Sequence, residues 1–454
     1  MAIEPLFDSV NEISLPEPDR LDGGSVLALL REYGVRLLRL ETCDILGAPK
    51  AVEVPPALFE AALAGGILFD GSSIDGQIRG EETDMYLRPE PSTLRVFPWG
   101  GERARVARLM CDVHKADGMR FEGDPRHVLR RAVDALAARG WEARIGAQIE
   151  FFLFEPGGSA PVAADGGGYF GVSPLDRGEV VSRDVLAALL ALGVGVSEIH
   201  HEMAAGQHEI TLLPDAALRA ADTLQLVGHV VRTVALRHGL RASFMPKPVF
   251  GRNGSGLHVS QSLLEEGRNL FADPDAREGL SETLRYYVGG LLAHARGFCA
   301  ITNPLVNSYK RLVPGFEAPV NVSWALHNRA SLVRVPATRG PETACELRLP
   351  DPAANPYLAL AVQLAAGLDG IARETDPGDP TNKDLAAMTA RERRRLRIPD
   401  LPRDLGEALD EMERDRVVRA ALGEHVYSAF MASKRAEWEE YRAQVHPWER
   451  ERYL

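Results

Sequence analysis

The sequence predicts an α+β protein in two parts: a small mixed domain, then a larger half-barrel of antiparallel strands backed by helices. Three observations carry that expectation. At 454 residues the chain exceeds what one small core organises. Strand-like and helical periodicities alternate along most of its length. Near Pro125 the texture changes from short mixed segments to long amphipathic helices separated by strand-like runs.

Taken in order, residues 1–20 are polar, contain Pro16 and Pro18, and read as a flexible arm. Residues 25–33 have helical periodicity, 35–40 alternate as a strand, and 47–50 read as a turn. A strand at 52–54 precedes a helix at 57–64. Gly65, Gly66 and residues 69–73 read as loop, and strands follow at 94–97 and 104–113. Residues 21–115 are therefore expected to form the first domain and 116–454 the second. In the second, helices are expected at 127–139, 182–192, 216–237, 280–295 and 356–371. Strands are expected at 147–154, 197–202, 208–213, 242–244 and 257–262. Strands with inward polar residues and helices outside would place a site in the mouth of a half-barrel. Residues 156–168 read as loop. The tail, 426–454, reads as helical and then rich in aromatic residues and arginine, suited to docking on another subunit.

Composition narrows the function. Hydrophobic residues make up 45% and charged residues 26%, as in ordinary globular proteins. A net charge of −12 argues against a nucleic-acid or anionic-membrane binder, which needs basic surface. Cys43, Cys111, Cys299 and Cys345 lie far apart and read as reduced, mostly buried thiols. No basic, apolar leader and no membrane-length apolar run is evident, so a cytoplasmic protein is expected.

Four short segments carry candidate chemistry. In Gly146-Ala147-Gln148-Ile149-Glu150, positions two apart share one strand face. His200-His201-Glu202 is followed by Gly206-Gln207-His208-Glu209. Asn253-Gly254-Ser255-Gly256-Leu257-His258 and Glu346-Leu347-Arg348 complete the set. Carboxylates with an imidazole suit Mg²⁺ or Mn²⁺, the ions that accompany ATP phosphates. Each piece alone is weak, and a lone His258 beside a Gly-rich turn is more often structural. Arg311, Arg329, Arg334 and Arg348 suit an anionic substrate and a transferring phosphoryl group. Taken by itself, the arginine cluster is better explained by salt bridges to Glu317, Glu342 and Glu346.

Taken together the segments are far more specific. Phe69-Asp70-Gly71-Ser72-Ser73, Phe121-Glu122-Gly123-Asp124-Pro125-Arg126, Phe244-Met245-Pro246-Lys247-Pro248 and Asn253-Gly254-Ser255-Gly256 resemble the glutamine synthetase family, type I. So do Asn307-Ser308-Tyr309-Lys310-Arg311-Leu312-Val313-Pro314-Gly315, Glu317-Ala318-Pro319 and Leu349-Pro350-Asp351-Pro352-Ala353-Ala354-Asn355-Pro356-Tyr357. The resemblance runs in unbroken order from about Val35 to the C-terminus. It implies an N-terminal β-grasp domain, a catalytic half-barrel, and a dodecamer of two stacked hexameric rings with sites between neighbouring subunits. It also implies an ATP-dependent ligase that joins ammonia to glutamate through a γ-glutamyl phosphate, with two to three Mg²⁺ or Mn²⁺ sites. By the same resemblance, Glu150, Glu202 and Glu209 match ligands of a first cation, and His258 and Glu346 match ligands of a second. Asn253 and Gly254 match the loop that holds the glutamate backbone, and Arg311 matches the clamp on its carboxylate. Arg329, Arg334 and Arg348 match groups that steady the phosphoryl group. Glu317, on a flap, and Asp44, from the adjacent subunit, match the acids that bind ammonium and take its proton.

The sequence also departs from the family pattern. Gln148 stands at a carboxylate position of the second cation site, removing one negative charge. Ser260 replaces a second histidine, and Thr211-Leu212-Leu213-Pro214 replaces a charged residue and an adenine-packing aromatic. Ala344 and Pro341 replace basic residues. Asn382-Lys383-Asp384-Leu385-Ala386 lacks the tyrosine modified in some members, and Arg79 stands near a position used for feedback in one subgroup. Two alternatives follow: a γ-glutamylamide ligase using another primary amine or hydrazine-like nucleophile, and a catalytically weak regulatory paralogue.

Overall fold

The computed structural model describes residue 13 and residues 15–74, 84–101, 103–158, 161–172, 176–381, 385, 388–395 and 398–454. Arg79, most of the expected arm, and Asn382, Lys383, Asp384 and Ala386 lie outside them.

Helix α1 (Gly23–Glu32) starts ahead of the expected 25–33 because Asp22 caps it. The Asp22 carboxylate accepts from the Ser25 amide at 2.8 Å, and the Ser25 hydroxyl accepts from the Asp22 amide at 2.8 Å. Then come β1 (Leu37–Cys43), β2 (Pro49–Val54), α2 (Phe59–Leu63), β3 (Ile67–Asp70), β4 (Asp84–Pro89), β5 (Arg95–Val96) and β6 (Val106–Lys115). They form a mixed sheet of order β2-β1-β6-β4-β3, parallel only between β1 and β6, with β5 joined to β6. The loop expected from Gly65 through 73 is partly wrong: β3 pairs antiparallel with β4 there. At four residues it is too short to show an alternation.

The second part opens with α3 (Pro125–Ala137) and β7 (Trp141–Phe154), followed by α4 (Glu179–Ala191), β8 (Val196–His201) and β9 (Gln207–Ala216). Next come α5 (Ala217–Arg237), β10 (Arg241–Ser243), β11 (Leu257–Glu265), β12 (Arg268–Asn269), α6 (Glu282–Thr302) and α7 (Ser308–Arg311). Strands β13 (Trp324–Ala325), β14 (Val333–Arg334) and β15 (Cys345–Leu347) precede α8 (Pro356–Ala372) and α9 (Ala390–Arg395). Helices α10 (Leu405–Arg414), α11 (Arg416–Leu422), α12 (Glu424–Arg442) and α13 (Pro447–Tyr453) end the chain. The sheet runs β13-β14-β15-β11-β7-β9-β8, with β10 on β7 and β12 on β11. It is the expected curled half-barrel, with helices α3, α5, α6 and α8 behind it. Where α6 and α8 cross, a Cβ on Gly290 would lie 2.1 Å from the Ala366 carbonyl, and one on Gly370 2.2 Å from that of Tyr286. Only glycine allows so close an approach. Helix α6 outruns its expected end at 295, because buried Phe298, Cys299 and Ile301 continue the apolar face.

Each part has its own apolar cluster, and a buried ionic network joins them. Arg126, at the start of α3, grips Asp222 of α5 through Nε and Nη2, at 3.0 and 3.1 Å. Its Nη1 donates to Asp112 of β6. Arg130 adds 3.1 Å to Asp112, and the Tyr357 hydroxyl donates to Asp222 at 2.7 Å. Burial alone would raise the Asp112 carboxyl, but Arg126 and Arg130 outweigh it and hold it below the ordinary range. Removing one partner leaves uncompensated buried charge. Arg126→Met is expected to destabilise the protein by about 3–5 kcal/mol in denaturant titration. Adding Asp112→Asn and Asp222→Asn should cost less than the sum of the single changes. A loss below about 1 kcal/mol for Arg126→Met would show the network to be energetically idle.

Candidate active site

Strand register assembles the site. Glu150 on β7 lies opposite Glu209 on β9, which lies opposite His200 on β8. One pleat away, Gln148 sits between Thr211 of β9 and His258 of β11. A third row pairs Ser260 with Glu346, and Glu346 with Arg334. Because side chains alternate, these rows face one side of the sheet while Ala147, Ile149 and Ile210 pack the other.

The rows line a cleft of ≈ 510 Å³ that also takes in Glu202, Asn253, Gly254, Arg311, Glu317, Arg329 and Arg348. Of the residues expected in the site, only Asp44, Arg334 and Glu346 do not line it. Asp44 is buried in the turn after β1, where Oδ1 accepts from the Leu46 and Ala48 amides and Oδ2 lies 3.2 Å from Lys50. It is not brought together with the others within this chain. Arg334 and Glu346 sit just behind the wall. Glu346 is gripped by Arg334 at 3.0 Å and by Arg348, and its Oε1 lies 3.7 Å from His258 Nδ1. So the salt-bridge reading holds for two of the four arginines. Even so, the Nε groups of Arg334 and Arg348 find no acceptor among the described residues.

Like charges directly opposite on neighbouring strands repel. Burial, then Glu202, pushes Glu150 up; burial, then Glu150 and Glu202, pushes Glu209 up. Glu150 Oε2 accepts from Gln207 Nε2 and the Gly256 amide, both at 2.9 Å, leaving Oε1 to face His258 Nε2 at 3.9 Å. Burial, reinforced by Arg348 and Arg311, holds the His258 ring well below its usual pKa and therefore neutral. Glu150, Glu209 and His258 each place a ligand atom within 4.8 Å of the others, as do Glu198, His200 and Glu209. Oxygen-rich donors with a neutral imidazole fit a hard divalent cation.

Arg311 is buried and tethered by the carbonyls of Leu349 and Arg348, at 2.8 and 3.1 Å. A Cβ on Gly254 would lie 2.2 Å from the Pro246 carbonyl, so only glycine fits beside this arginine. Glu317 is exposed at the cleft mouth in a left-handed conformation (φ 56°), with Oε2 3.5 Å from Asn253 Nδ2. Its neighbour Phe316 is held under the Lys247 ammonium, 3.6 Å from the ring centre. Gln148, at the altered cation position, links His258 Nδ1 (3.3 Å from Oε1) to Thr211 (3.4 Å from Nε2).

Sequence reasoning assigned no role to Gln207, Glu198, Tyr169, Phe170 or Phe316, all of which line the cleft. Gln207 carried a usable signal, two residues before Glu209 and so on the same strand face. The stacked pair Tyr169 and Phe170, edge-on to His200, comes from a loop where no periodicity exists.

Residues 122–453 match the family model "Glutamine synthetase, catalytic domain", and residues 34–116 match "Glutamine synthetase, beta-Grasp domain". The chain is 50% identical over 436 residues to a glutamine synthetase of Thermus thermophilus, covering 94% of this chain and 98% of that one. It is 48% identical over 432 residues to one of Methanosarcina mazei, covering 94% and 97%. A solved GmaS/ADP complex superimposes with a TM-score of 0.87 at 35% identity, covering 94% of this chain and 99% of that one. A Plasmodium falciparum glutamine synthetase, at 24% identity and a TM-score of 0.86, shares the fold.

With Glu150 and Glu209 pushed up by burial and by neighbouring carboxylates, a cation held between them would bind in competition with protons. A cation needs the carboxylates ionised, so binding must displace protons held above the ordinary carboxylate range. Affinity is expected to rise with pH from that range upward and to level off once both groups ionise. Calorimetric Mn²⁺ titration in buffers of different ionisation enthalpy should register proton release. A pH-independent affinity with no proton release would refute the shifts.

Proposed function

The chain belongs to the glutamine synthetase family, and from that premise we propose how its cleft performs ATP-dependent ligation of ammonia to glutamate. The observation that carries the reading is the row Glu150–Glu209, with Glu202, sharing one cleft with Arg311, Arg329 and Arg348. The same cleft thus offers carboxylates to cations and guanidinium groups to anions.

In this reading Arg311 takes the glutamate α-carboxylate, while Asn253 and the glycine loop hold its backbone. Glu150, Glu202 and Glu209 would hold one Mg²⁺ or Mn²⁺. His258, Glu346 and the Gln148 carbonyl would hold a second, more weakly because Gln148 brings no charge. Such ions, when bound, screen the nucleotide phosphates and spread charge off the transferring phosphoryl group. Arg329, Arg334 and Arg348 steady that group from the other side, the last two with Nε donors to spare. Glu317 closes over the mouth and, with Asp44 of a neighbouring subunit, binds ammonium and takes its proton. The closed mouth keeps water from the γ-glutamyl phosphate. A double hexameric ring in the cytoplasm would supply that neighbour, and the GmaS relative bound to ADP supports a nucleotide in the same fold. Among the described residues no helix is long and apolar enough to cross a membrane. The readings as a ligase of larger amines and as a weak paralogue are not favoured, because relatives sharing half the residues are glutamine synthetases.

ADP release by the purified protein is expected to require glutamate and ammonia together, and Arg311→Ala should raise the glutamate KM by at least about tenfold. Turnover with a larger amine but not ammonia would overturn the assignment. Gln148→Glu tests the second cation position. It should tighten Mn²⁺ binding by roughly tenfold or more, read by Mn²⁺ paramagnetic resonance titration. Unchanged binding would mean Gln148 acts only as the link between His258 and Thr211.

A further inference from the structure

The hairpin β8–β9 presents His200 and Glu209 to the cleft, so His201 and His208, one residue out of step, face the opposite side. There they meet Asp165, from the loop after β7, and Asp176, just ahead of α4. His201 Nε2 donates to Asp165 Oδ1 at 2.9 Å, and the Gly167 and Gly206 amides donate to the same oxygen at 2.8 and 2.9 Å. That oxygen is saturated. The other, Asp165 Oδ2, has no hydrogen-bond partner among the described residues, and neither do Asp176 Oδ1 and His208 Nε2. His208 Nε2 lies 3.8 Å from each of those two oxygens. The side chains of Asp165 and His201 are 0% exposed, that of His208 1% and that of Asp176 6%. Ser182 Oγ sits 3.2 Å from His208 Nδ1 and turns Nε2 toward the carboxylates. Three buried polar atoms therefore converge without a hydrogen-bond partner among the described residues, an arrangement native interiors rarely leave unfilled.

We propose that Asp165, Asp176 and His208, with His201 at the fourth corner, bind a divalent transition cation of the zinc class. Bonds of about 2.0–2.1 Å at tetrahedral angles put neighbouring donor atoms about 3.3 Å apart. His208 Nε2 stands 3.8 Å from each of the two orphan oxygens, and the ligand atoms of all four residues lie within 4.8 Å of one another, so a small inward shift reaches that spacing. Two imidazoles and two carboxylates match zinc's donor preference. Magnesium prefers an all-oxygen octahedral shell that keeps several waters, which two imidazole donors do not suit. On coordination His201 releases the Nε2 proton it now shares with Asp165, which turns from acceptor to co-ligand. The cation ties the loop at 161–172, the start of α4 and both hairpin strands together. It is a closed structural site directly behind the open cleft, braced against the hairpin that carries Glu202 and Glu209.

The test uses the full-length protein, loaded with Zn²⁺, stripped of cleft ions by brief chelation and returned to excess Mg²⁺. Elemental analysis is expected to find about one zinc per chain, and Co²⁺ loading should give the strong visible absorption of a tetrahedral site. Asp176→Asn should lower zinc retention by at least about tenfold, whereas the cleft variant Glu346→Gln should keep it. Less than about 0.1 zinc per chain in the unaltered protein would overturn the proposal and leave the cluster closed by a proton. Equal retention in Asp176→Asn would overturn it by placing the zinc in the cleft. If Asp176→Asn does not fold, the zinc content and cobalt spectrum of the unaltered protein decide the matter.

Discussion

Two buried carboxylates with a third half-buried beside them are the constraint around which the rest of the structure is arranged. Glu150 and Glu209 face each other across adjacent strands, with Glu202 beside them, an arrangement that opposes folding wherever all three are ionised. The surroundings answer this in layers. Gln207 and the Gly256 amide donate to one oxygen of Glu150, and His258 stays neutral beside the other. Arg311, Arg329 and Arg348 line the same cleft. A site of this kind is a poor device for stability, and its persistence makes sense only through what binds there.

The site stands on a frame fixed elsewhere. Arg126 spans the sheet of the first part and helix α5 of the second, and its two aspartate partners are themselves almost wholly buried. Helix α5 packs directly behind β7 and β9. The small domain is thereby locked to the back of the very strands that carry Glu150 and Glu209. Asp44 lies at the end of β1 in that small domain, so its orientation toward any neighbouring chain is set by the same lock.

Much of this was legible in the sequence, for identifiable reasons. Gln148 and Glu150, or Glu346 and Arg348, sit two apart on strands, and period two is a signal a single chain carries by itself. The quoted motifs supplied the order and hence the fold. What stayed hidden was contact between distant segments. That Arg334 holds Glu346 follows from the β14–β15 register, which no local pattern encodes. Asp165 lay in a stretch read only as loop, and nothing in its neighbours announces His201. β3 was missed because four residues cannot establish a period.

The register that aligns β7, β9 and β11 has one more implication. Side chains alternate, so a slip of one residue would exchange Glu150 for Ile149 and His258 for Leu257 throughout the cleft, and would bury the carboxylates against helices. Cation recognition in this architecture is thus digital. A misassembled chain would not bind its ions somewhat less well; it would be blind to them, and the ions would reward only the correctly threaded sheet. The reactive row doubles as a proofreading mark for the fold that presents it.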